Sequence, residues 1–576
     1  MSDPQAAGAA ASRISARVQR AAKNRLSVFE RLQPKTVLAL LLIFGFVFRL
    51  FLLRYRFAIA FDEVNYIKLG VSGHLKGLSA VLHTYWSPLL PTLIAFFCGL
   101  FRDYEFAARL VSVLAGTLLA IPVYFLGKLV YDKNAGLLAA AFVTLFPPLA
   151  FQSTQILTEP VYMLLAATAI FFGLRMLKMY STGFAMLAGI AAGLAYLAHP
   201  QGVGFFILLT FWIIFGSLTR LFLINRLRIL WMLLPLAFGF LLVAAPYLWY
   251  LKRATGTWTF SAKASANLQM EARETPEGDP FRSLNAENTS VPIDQIFHEG
   301  NFLNATDGGQ TPVRQVRLAP FLKKYAENVS NVLQSAIPEV LTTIPLLLLG
   351  VGLLGSPWQP QQGKLVLYLL SFVGFFWLGV IPAFHITARY LTPLLPICAL
   401  WVGRGAQQIY QWLSVYMPLF KFSKRINVLS SNTAFVLMAA AFLLLTFAPE
   451  LGRVVSRHSD SRDVWADPVE QKIAGRWLKE NVSGPKIIMS RNHAVDVYAG
   501  NFDIKESVTI PKGSFERVLA YAKHKRVNYL LINERYTKFY PELSFLLETT
   551  DATSGLNLIY DKKDPSGLIT RIFKVQ

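Results

Sequence analysis

The sequence predicts a polytopic α-helical membrane protein of about eleven transmembrane helices with a small extracytoplasmic α/β domain at its C-terminal end, and three observations predict it. The 576-residue chain is 54% hydrophobic and only 16% charged, with a mean hydropathy of +0.42, whereas soluble domains run near ~45–50% apolar and ~25% charged. Apolar runs of the ~17–25 residues that a hydrocarbon core demands recur between residues 36 and 448. After 448 the pattern changes to polar helical stretches alternating with short apolar runs. The net charge of +22, from 56 Lys+Arg against 34 Asp+Glu, would gather on one soluble face in a nucleic-acid binder. Here the bases lie between apolar runs, so no nucleic acid is expected as partner and membrane lipids are. Cys98 and Cys398 both fall in apolar segments, which leaves neither a disulfide framework nor a Cys-based zinc site.

The elements follow in order. Residues 1–35 carry Arg13, Arg17, Arg20, Lys23, Arg25, Arg31 and Lys35 just before the apolar run Thr36–Leu53, and the positive-inside rule places this end in the cytoplasm. Ala58-Ile59-Ala60 has the form of a signal-peptide cleavage site, but the run before it is too long for a signal h-region and Arg54 and Arg56 intervene. Spans are expected near 36–53, 106–127, 135–151, 160–174, 183–198, 202–218, 229–250, 337–355, 365–382, 390–408 and 431–448. The connections with Lys128/Lys133, Arg175/Lys178, Arg220/Arg226/Arg228 and Lys421/Lys424/Arg425 then share the cytoplasmic side, while those around Gln152–Thr158 and His199–Gln201 contain no Lys or Arg. His199-Pro200-Gln201 leaves almost no loop, which reads as a tight turn or as a re-entrant pair.

Within the membrane domain 36–448, two large outer loops are expected. Residues 54–105 mix amphipathic stretches with prolines and predict short interfacial helices. Residues 252–335, rich in Asn, Glu, Thr and Gly, predict a long irregular loop of a length that is uncommon unless functional. The odd span count puts 449–576 outside. There, helical patterns at Pro468–Glu480 and Ser514–Lys525 precede the apolar runs Lys486–Met489 and Val527–Ile532, and Leu556–Tyr560 with Leu568–Lys574 make a closing hairpin around Asp564-Pro565-Ser566-Gly567.

Several motif matches have plain explanations. Gly350-Val351-Gly352-Leu353-Leu354-Gly355 satisfies G-x-G-x-x-G, yet it ends an apolar span with no preceding strand, so the dinucleotide reading fails on context. Small residues there, like Gly189 and Gly193, let helices approach one another. The sequons at Asn288, Asn304, Asn328 and Asn481 lie in expected extracytoplasmic segments, where glycosylation in a eukaryote and chance are equally good accounts. The eight histidines form no HExxH or Cys/His cluster.

Chemistry is expected where charges meet the outer face. Asp62 and Glu63 open the first outer loop; the plainer account is a solvated loop start, the functional one a general base, because a carboxylate in a partly dry pocket near a cation can take a hydroxyl proton. Glu159 opens the fourth span beside Pro160, where it also suits the helix dipole. Asp62, Glu63 and Glu159 come from different loops facing one compartment. Lys252 and Arg253 share that face and are equally well read as snorkelling to headgroups. Arg389 is followed by Tyr390, Pro393 and Pro396, which predicts a held guanidinium able to clamp a phosphate through two parallel hydrogen bonds.

The order of these segments resembles a known group. A basic N-terminus, one span, an outer loop opening with Asp62-Glu63 and Tyr66, and then Tyr85-Trp86-Ser87-Pro88-Leu89-Leu90-Pro91 is similar to the protein O-mannosyltransferases and aminoarabinose lipid A transferases of the C superfamily of membrane glycosyltransferases. Thr158-Glu159-Pro160, Ala195–Gly202 and Arg389-Tyr390-Leu391-Thr392-Pro393 also look like segments of bacterial members, and the resemblance covers roughly 36–448. There are departures. Trp86-Ser87-Pro88-Leu89 stands where aminoarabinose transferases usually have Lys-Pro-Pro-Leu, His199-Pro200-Gln201 stands where Arg-Pro-Glu is usual, and no Trp-Trp-Asp-Tyr-Gly occurs, which weighs against an oligosaccharyltransferase.

The resemblance implies an inverting transfer of a hexosyl or pentosyl group from a polyprenyl-phosphate-linked sugar donor to a hydroxyl of a lipid, glycan or protein acceptor. It implies an integral protein of the bacterial inner membrane, with Asp62 and Glu159 catalytic and Glu63, Tyr66, His83, Trp86, Arg389 and Tyr390 contacting substrate. No cofactor is expected; a divalent metal at Asp62, Glu63 and Glu159 is not favoured, because hard cations want more oxygen ligands. The competing readings are a transporter or lipid flippase, which wants ionisable residues buried mid-span, and a non-catalytic scaffold with a sensory outer domain.

Overall fold

The computed structural model describes residues 33–219, 230–261, 263, 318–383, 388–416, 449, 451–452, 466–510, 514–548, 555–565 and 567–576. The expected span 431–448, the bases at 220–228 and 421–425, nearly all of the basic N-terminus, and most of the outer loop 252–335 lie outside the described residues.

Among the described residues, six helices are long and apolar enough to cross a membrane: Pro34–Tyr55, Tyr104–Val130, Thr158–Met179, Pro200–Thr219, Leu233–Thr255 and Pro360–Ala383. A polytopic helical bundle is therefore present, without the full count of eleven. Lys133–Leu145 and Thr182–Ala198 are helical where spans were expected but are shorter; the former, at 13 residues, rises only about 20 Å. The expected span 337–355 is broken: Phe321–Leu341 and Thr343–Leu354 meet at 105°. The break falls at Thr342, in the left-handed region at φ 59. Pro345 cannot bond back to the carbonyl of Leu341, which is why the helix stops there.

Local chemistry accounts for the other joints. A 3-10 turn at Pro200–Gly202 joins the helices on either side of His199, so that connection is a tight turn. Asp132 Oδ1 accepts the N–H groups of Asn134 and Ala135 and starts the next helix. At that helix's far end Arg49, fully buried in the first span, donates to the carbonyls of Thr144 at 3.0 Å and Val143 at 3.2 Å. A cation thus satisfies the last carbonyls of a helix that Pro147 and Pro148 cannot continue. Glycines set the closest helix contacts. A Cβ on Gly352 would lie 1.8 Å from the Trp401 carbonyl oxygen, one on Gly405 1.9 Å from that of Leu348, and one on Gly189 2.1 Å from that of Leu236. The glycine-rich run is a helix-packing seam.

Residues 54–105 pack into the fold as short helices. Ten of the fifteen residues of helix Asp62–Lys76 are buried, because it is sandwiched between the bundle and the C-terminal domain, and Leu89–Cys98 buries Leu90, Pro91, Ile94, Ala95 and Cys98. That domain holds a five-stranded sheet in the order β2-β1-β3-β5-β4, with β1 Ile488–Ser490, β2 Ser507–Thr509, β3 Tyr529–Asn533, β4 Leu556–Lys563 and β5 Ile569–Val575. β1 pairs in parallel with β2 and β3, whereas β3–β5 and β4–β5 are antiparallel, so the closing hairpin is the expected one and the edge strand β2 is additional. Helices Val469–Asn481 and Phe515–His524 cover the sheet. Val497, Tyr498 and Ile504 belong to the same apolar core as the membrane helices.

Candidate active site at one rim of the bundle

Three segments meet at one end of the bundle. Asp62 is the first residue of its helix, where a carboxylate complements the unpaired N–H groups. The preceding Phe61 sits at φ 46, a conformation costing a bulky residue about 1–3 kcal/mol, so the entry to Asp62 is held rather than relaxed. Glu159 lies in the first turn of Thr158–Met179. Arg389 lies in a 3-10 stretch, Ala388–Leu394, braced by Thr392 Oγ1 donating to its carbonyl at 2.7 Å and by Gln152 Nε2 donating to Thr392 Oγ1 at 3.2 Å.

Arg389 joins the two carboxylates. Its Nη1 is 3.1 Å from Asp62 Oδ2, and its Nε donates to Glu159 Oε1. Asp62 is 38% exposed and Glu159 only 6%, so Asp62 is the carboxylate open to an incoming molecule. Glu159 Oε2 is buried with no hydrogen-bond partner among the described residues, which is costly unless a donor arrives. The two carboxylates hold the guanidinium strongly protonated despite burial.

An aromatic wall stands beside the cluster. Tyr66 meets Trp86 edge-on at 5.1 Å between ring centroids, and Tyr85 meets it at 4.7 Å. Burial, with Asp62 and Glu159 nearby, pushes the Tyr66 phenol well above its ordinary range. Tyr390 lies close enough to raise both Arg389 and Tyr85. Lys263 places its ammonium 5.0 Å from the Tyr85 ring and 5.3 Å from that of Trp86, a cation–π arrangement. Burial lowers the Lys263 ammonium from its ordinary value, Asp62 and Glu159 pull it up, and Arg389 pushes it down further. His199 is within the field of the same two cations, and burial and that field together keep it neutral.

Two expected substrate contacts are engaged elsewhere. Glu63 is buried, its Oε1 accepting from Ile156 N at 2.8 Å and Arg109 Nη1 at 3.4 Å, its Oε2 from Ala60 N at 2.9 Å; burial pushes its carboxyl up against the pull of Arg109 and Arg56. It locks the loop before Asp62 onto the loop before Glu159. His83 Nδ1 accepts the N–H groups of Tyr85 at 3.0 Å and Trp86 at 3.3 Å, so it shapes the turn that presents the aromatic wall. Lys252 donates to the Gly256 carbonyl and Arg253 lies over Trp249, as residues anchoring a helix end do. Lys263 went unnoticed in the sequence; its one signal is the aromatic run Trp258–Phe260 just before it. Among the described residues no group of three or more His, Cys, Asp and Glu is arranged to hold a metal ion.

Residues 85–250 match the family model described as Dolichyl-phosphate-mannose-protein mannosyltransferase. No curated protein matches the chain. Among solved structures, the archaeal oligosaccharyltransferase AglB from Archaeoglobus fulgidus, in complex with an inhibitory peptide and a dolichol-phosphate, aligns with a TM-score of 0.56 at 13% identity over 95% of this chain and 74% of that one. ArnT from Cupriavidus metallidurans bound to undecaprenyl phosphate aligns with a TM-score of 0.51 at 13% identity over 93% of this chain and 97% of that one. The resemblance expected from the sequence is borne out at the level of the fold, which this chain shares with AglB and ArnT.

Proposed function

We propose that this protein is an inverting glycosyltransferase that moves a hexosyl or pentosyl group from a polyprenyl-phosphate donor to an acceptor hydroxyl on the extracytoplasmic face of a bacterial inner membrane. The observation that carries the reading is Arg389 bridging Asp62 and Glu159 beside an aromatic wall, in a fold shared with proteins solved with lipid phosphates bound. The acceptor oxygen attacks the anomeric carbon, its proton passes to Asp62, and the bond to the phosphate oxygen breaks with its electron pair leaving on the polyprenyl phosphate. Arg389 spends Nε–H and one Nη1–H on the carboxylates, and of its five N–H donors the other on Nη1 and the two on Nη2 are left to receive that charge. Lys263 is the second cation. Glu159 keeps the guanidinium in place and offers Oε2 to a sugar hydroxyl. Tyr66, Trp86 and Tyr390 contact the sugar, each an apolar body with a polar tip. The acceptor is a lipid, glycan or protein. No metal enters this scheme, since Asp62 and Glu159 both already serve Arg389.

The transporter reading is less well supported. Arg49 is an ionisable residue buried in a span, and it caps a helix end. The deciding measurement is product formation by purified wild-type and Asp62→Asn protein in detergent with a polyprenyl-phosphate sugar. Asp62→Asn should lower transfer by about 10²–10⁴-fold with donor binding retained; equal turnover in the two removes Asp62 from the mechanism.

A further inference from the structure

The segment that delivers Asp62 is gripped from above by the C-terminal domain. Asp467 Oδ2 accepts the N–H of Phe57 at 2.8 Å, and the Tyr498 hydroxyl accepts the N–H of Ile59 at 2.9 Å while donating to Glu105 Oε2 at 3.0 Å. Lys472 Nζ donates to the Phe57 carbonyl at 2.9 Å and to Glu105 Oε2 at 3.0 Å. Just beyond lies Phe61 in its left-handed conformation. Farther along the same helix, Lys68 Nζ is 2.8 Å from Asp496 Oδ2 with both side chains fully buried. Lys68 also donates to Ser507 Oγ and to the Asp503 carbonyl, Ser507 donates to Asp496 Oδ2 at 2.7 Å, and Ser72 donates to the Phe502 carbonyl at 2.9 Å.

These contacts are not the chemistry of a merely adherent domain. Taking a lysine and an aspartate out of water is expensive, and an apolar pair of the same size would hold two surfaces together at least as well. What the charged pair adds is a fixed direction and register. It lies six residues along the helix from Asp62, about 9 Å at the α-helical rise, so it touches no reacting atom. The backbone grip at 57–59 and the side-chain grip at Lys68 bracket Asp62 on both sides.

We propose that the C-terminal domain is a working part of the transfer site, with Asp496 and Tyr498 as positioning residues that set the placement of Asp62. The inference rests on the transferase reading above. Wild-type protein in detergent, given a polyprenyl-phosphate sugar and an acceptor hydroxyl, must first show transfer; if it shows none, that reading fails before this one is reached. With wild type active, Tyr498→Phe removes one hydroxyl and keeps the ring, while Asp496→Asn keeps the shape and removes the charge. Both should lower kcat by about 10- to 100-fold, the scale of small misplacements at a reacting centre. The donor KM should change much less than kcat, because Arg389, Lys263, Tyr85 and Trp86 all lie off the Asp62–Lys76 helix. Asp496→Glu, which restores a carboxylate to Lys68, should recover part of the loss. Hydrogen exchange supplies a readout independent of activity: amides at 57–66 should lose protection in both variants while those of the Thr158–Met179 helix keep theirs. An unchanged kcat in Tyr498→Phe and Asp496→Asn, with or without faster exchange, overturns the proposal. So does a loss in which KM and kcat change together with protection lost throughout the chain, the pattern of a domain that only stabilises.

Discussion

Arg389 Nη1 lies 3.1 Å from Asp62 Oδ2, so in the proposed reaction the group that receives the departing phosphate is paired, before any ligand arrives, with the group that receives the acceptor's proton. A phosphate oxygen entering beside Nη2 competes for the guanidinium and loosens its hold on Asp62. In the proposed reaction, donor binding would thereby prime the base. Arg389→Ala should weaken donor use severely, and Arg389→Lys should restore it only in part, since an ammonium cannot serve Glu159, Asp62 and a phosphate from one plane. Steady-state kinetics against donor concentration checks this, and full activity in both variants would move the leaving phosphate elsewhere.

Glu63 should behave unlike its neighbour. Its carboxylate accepts from Ile156, Ala60 and Arg109 away from the Asp62 cluster. Glu63→Ala strips the N–H groups of Ile156 and Ala60 of their acceptor and leaves Arg109 to Glu105 alone among carboxylates, which should cost about 1–3 kcal/mol of stability, read as a fall in the thermal unfolding temperature in detergent. Glu63→Gln, which keeps an acceptor, should cost less and leave kcat near wild type in the folded fraction.

The alkaline limb of the pH profile reports on Lys263. Burial lowers this ammonium from its ordinary 10.5 while Asp62 and Glu159 pull it up, so its charge is lost as pH rises through a value below 10.5. If that charge holds the phosphate, donor use fades over the same interval. Lys263→Arg keeps its charge beyond pH 12 and should carry activity to higher pH than wild type. Identical alkaline limbs would remove Lys263 from phosphate binding.

Sidedness follows from the two ends of the bundle. Lys178, Lys364 and Arg404 line one polar crevice with Tyr131 and Asp132, at the helix ends opposite those that carry Glu105 and Glu159. A reporter fused at Asn225 should be cytoplasmic and one fused after Asp460 extracytoplasmic; the reverse would put the Asp62 cluster on the wrong face for the proposed donor.

That Asp62, Glu159 and Arg389 would come together was legible because each flanks an apolar run and the Lys/Arg asymmetry of the short loops assigns all three to one side. Glu63 was misread for a geometric reason: adjacent helical residues point about 100° apart, so one acid of the pair meets Arg389 and the other Arg109. Lys263 approaches Trp86 through tertiary folding, and nothing local in its polar stretch marks it. The grip of Asp467 and Tyr498 on residues 57–59 joins opposite ends of the chain, where no periodicity speaks. The helical bundle and the closing hairpin could be read because hydrophobic runs and turn residues are local signals; the break at Thr342 was written in Pro345, four residues beyond Leu341.

The seam at Gly352 and Gly405 extends the site's reach. Gly405 lies on the helix that continues from the Arg389 turn, about 15 Å along from its first residue, and a methyl group on either glycine would collide with a carbonyl. The helix would have to tilt or slide, and Arg389 would ride with it. A survey of inactivating substitutions would therefore mark these glycines beside Arg389 and Asp62, and a map of the catalytic centre drawn from such a survey alone would extend across the bundle into places no sugar visits.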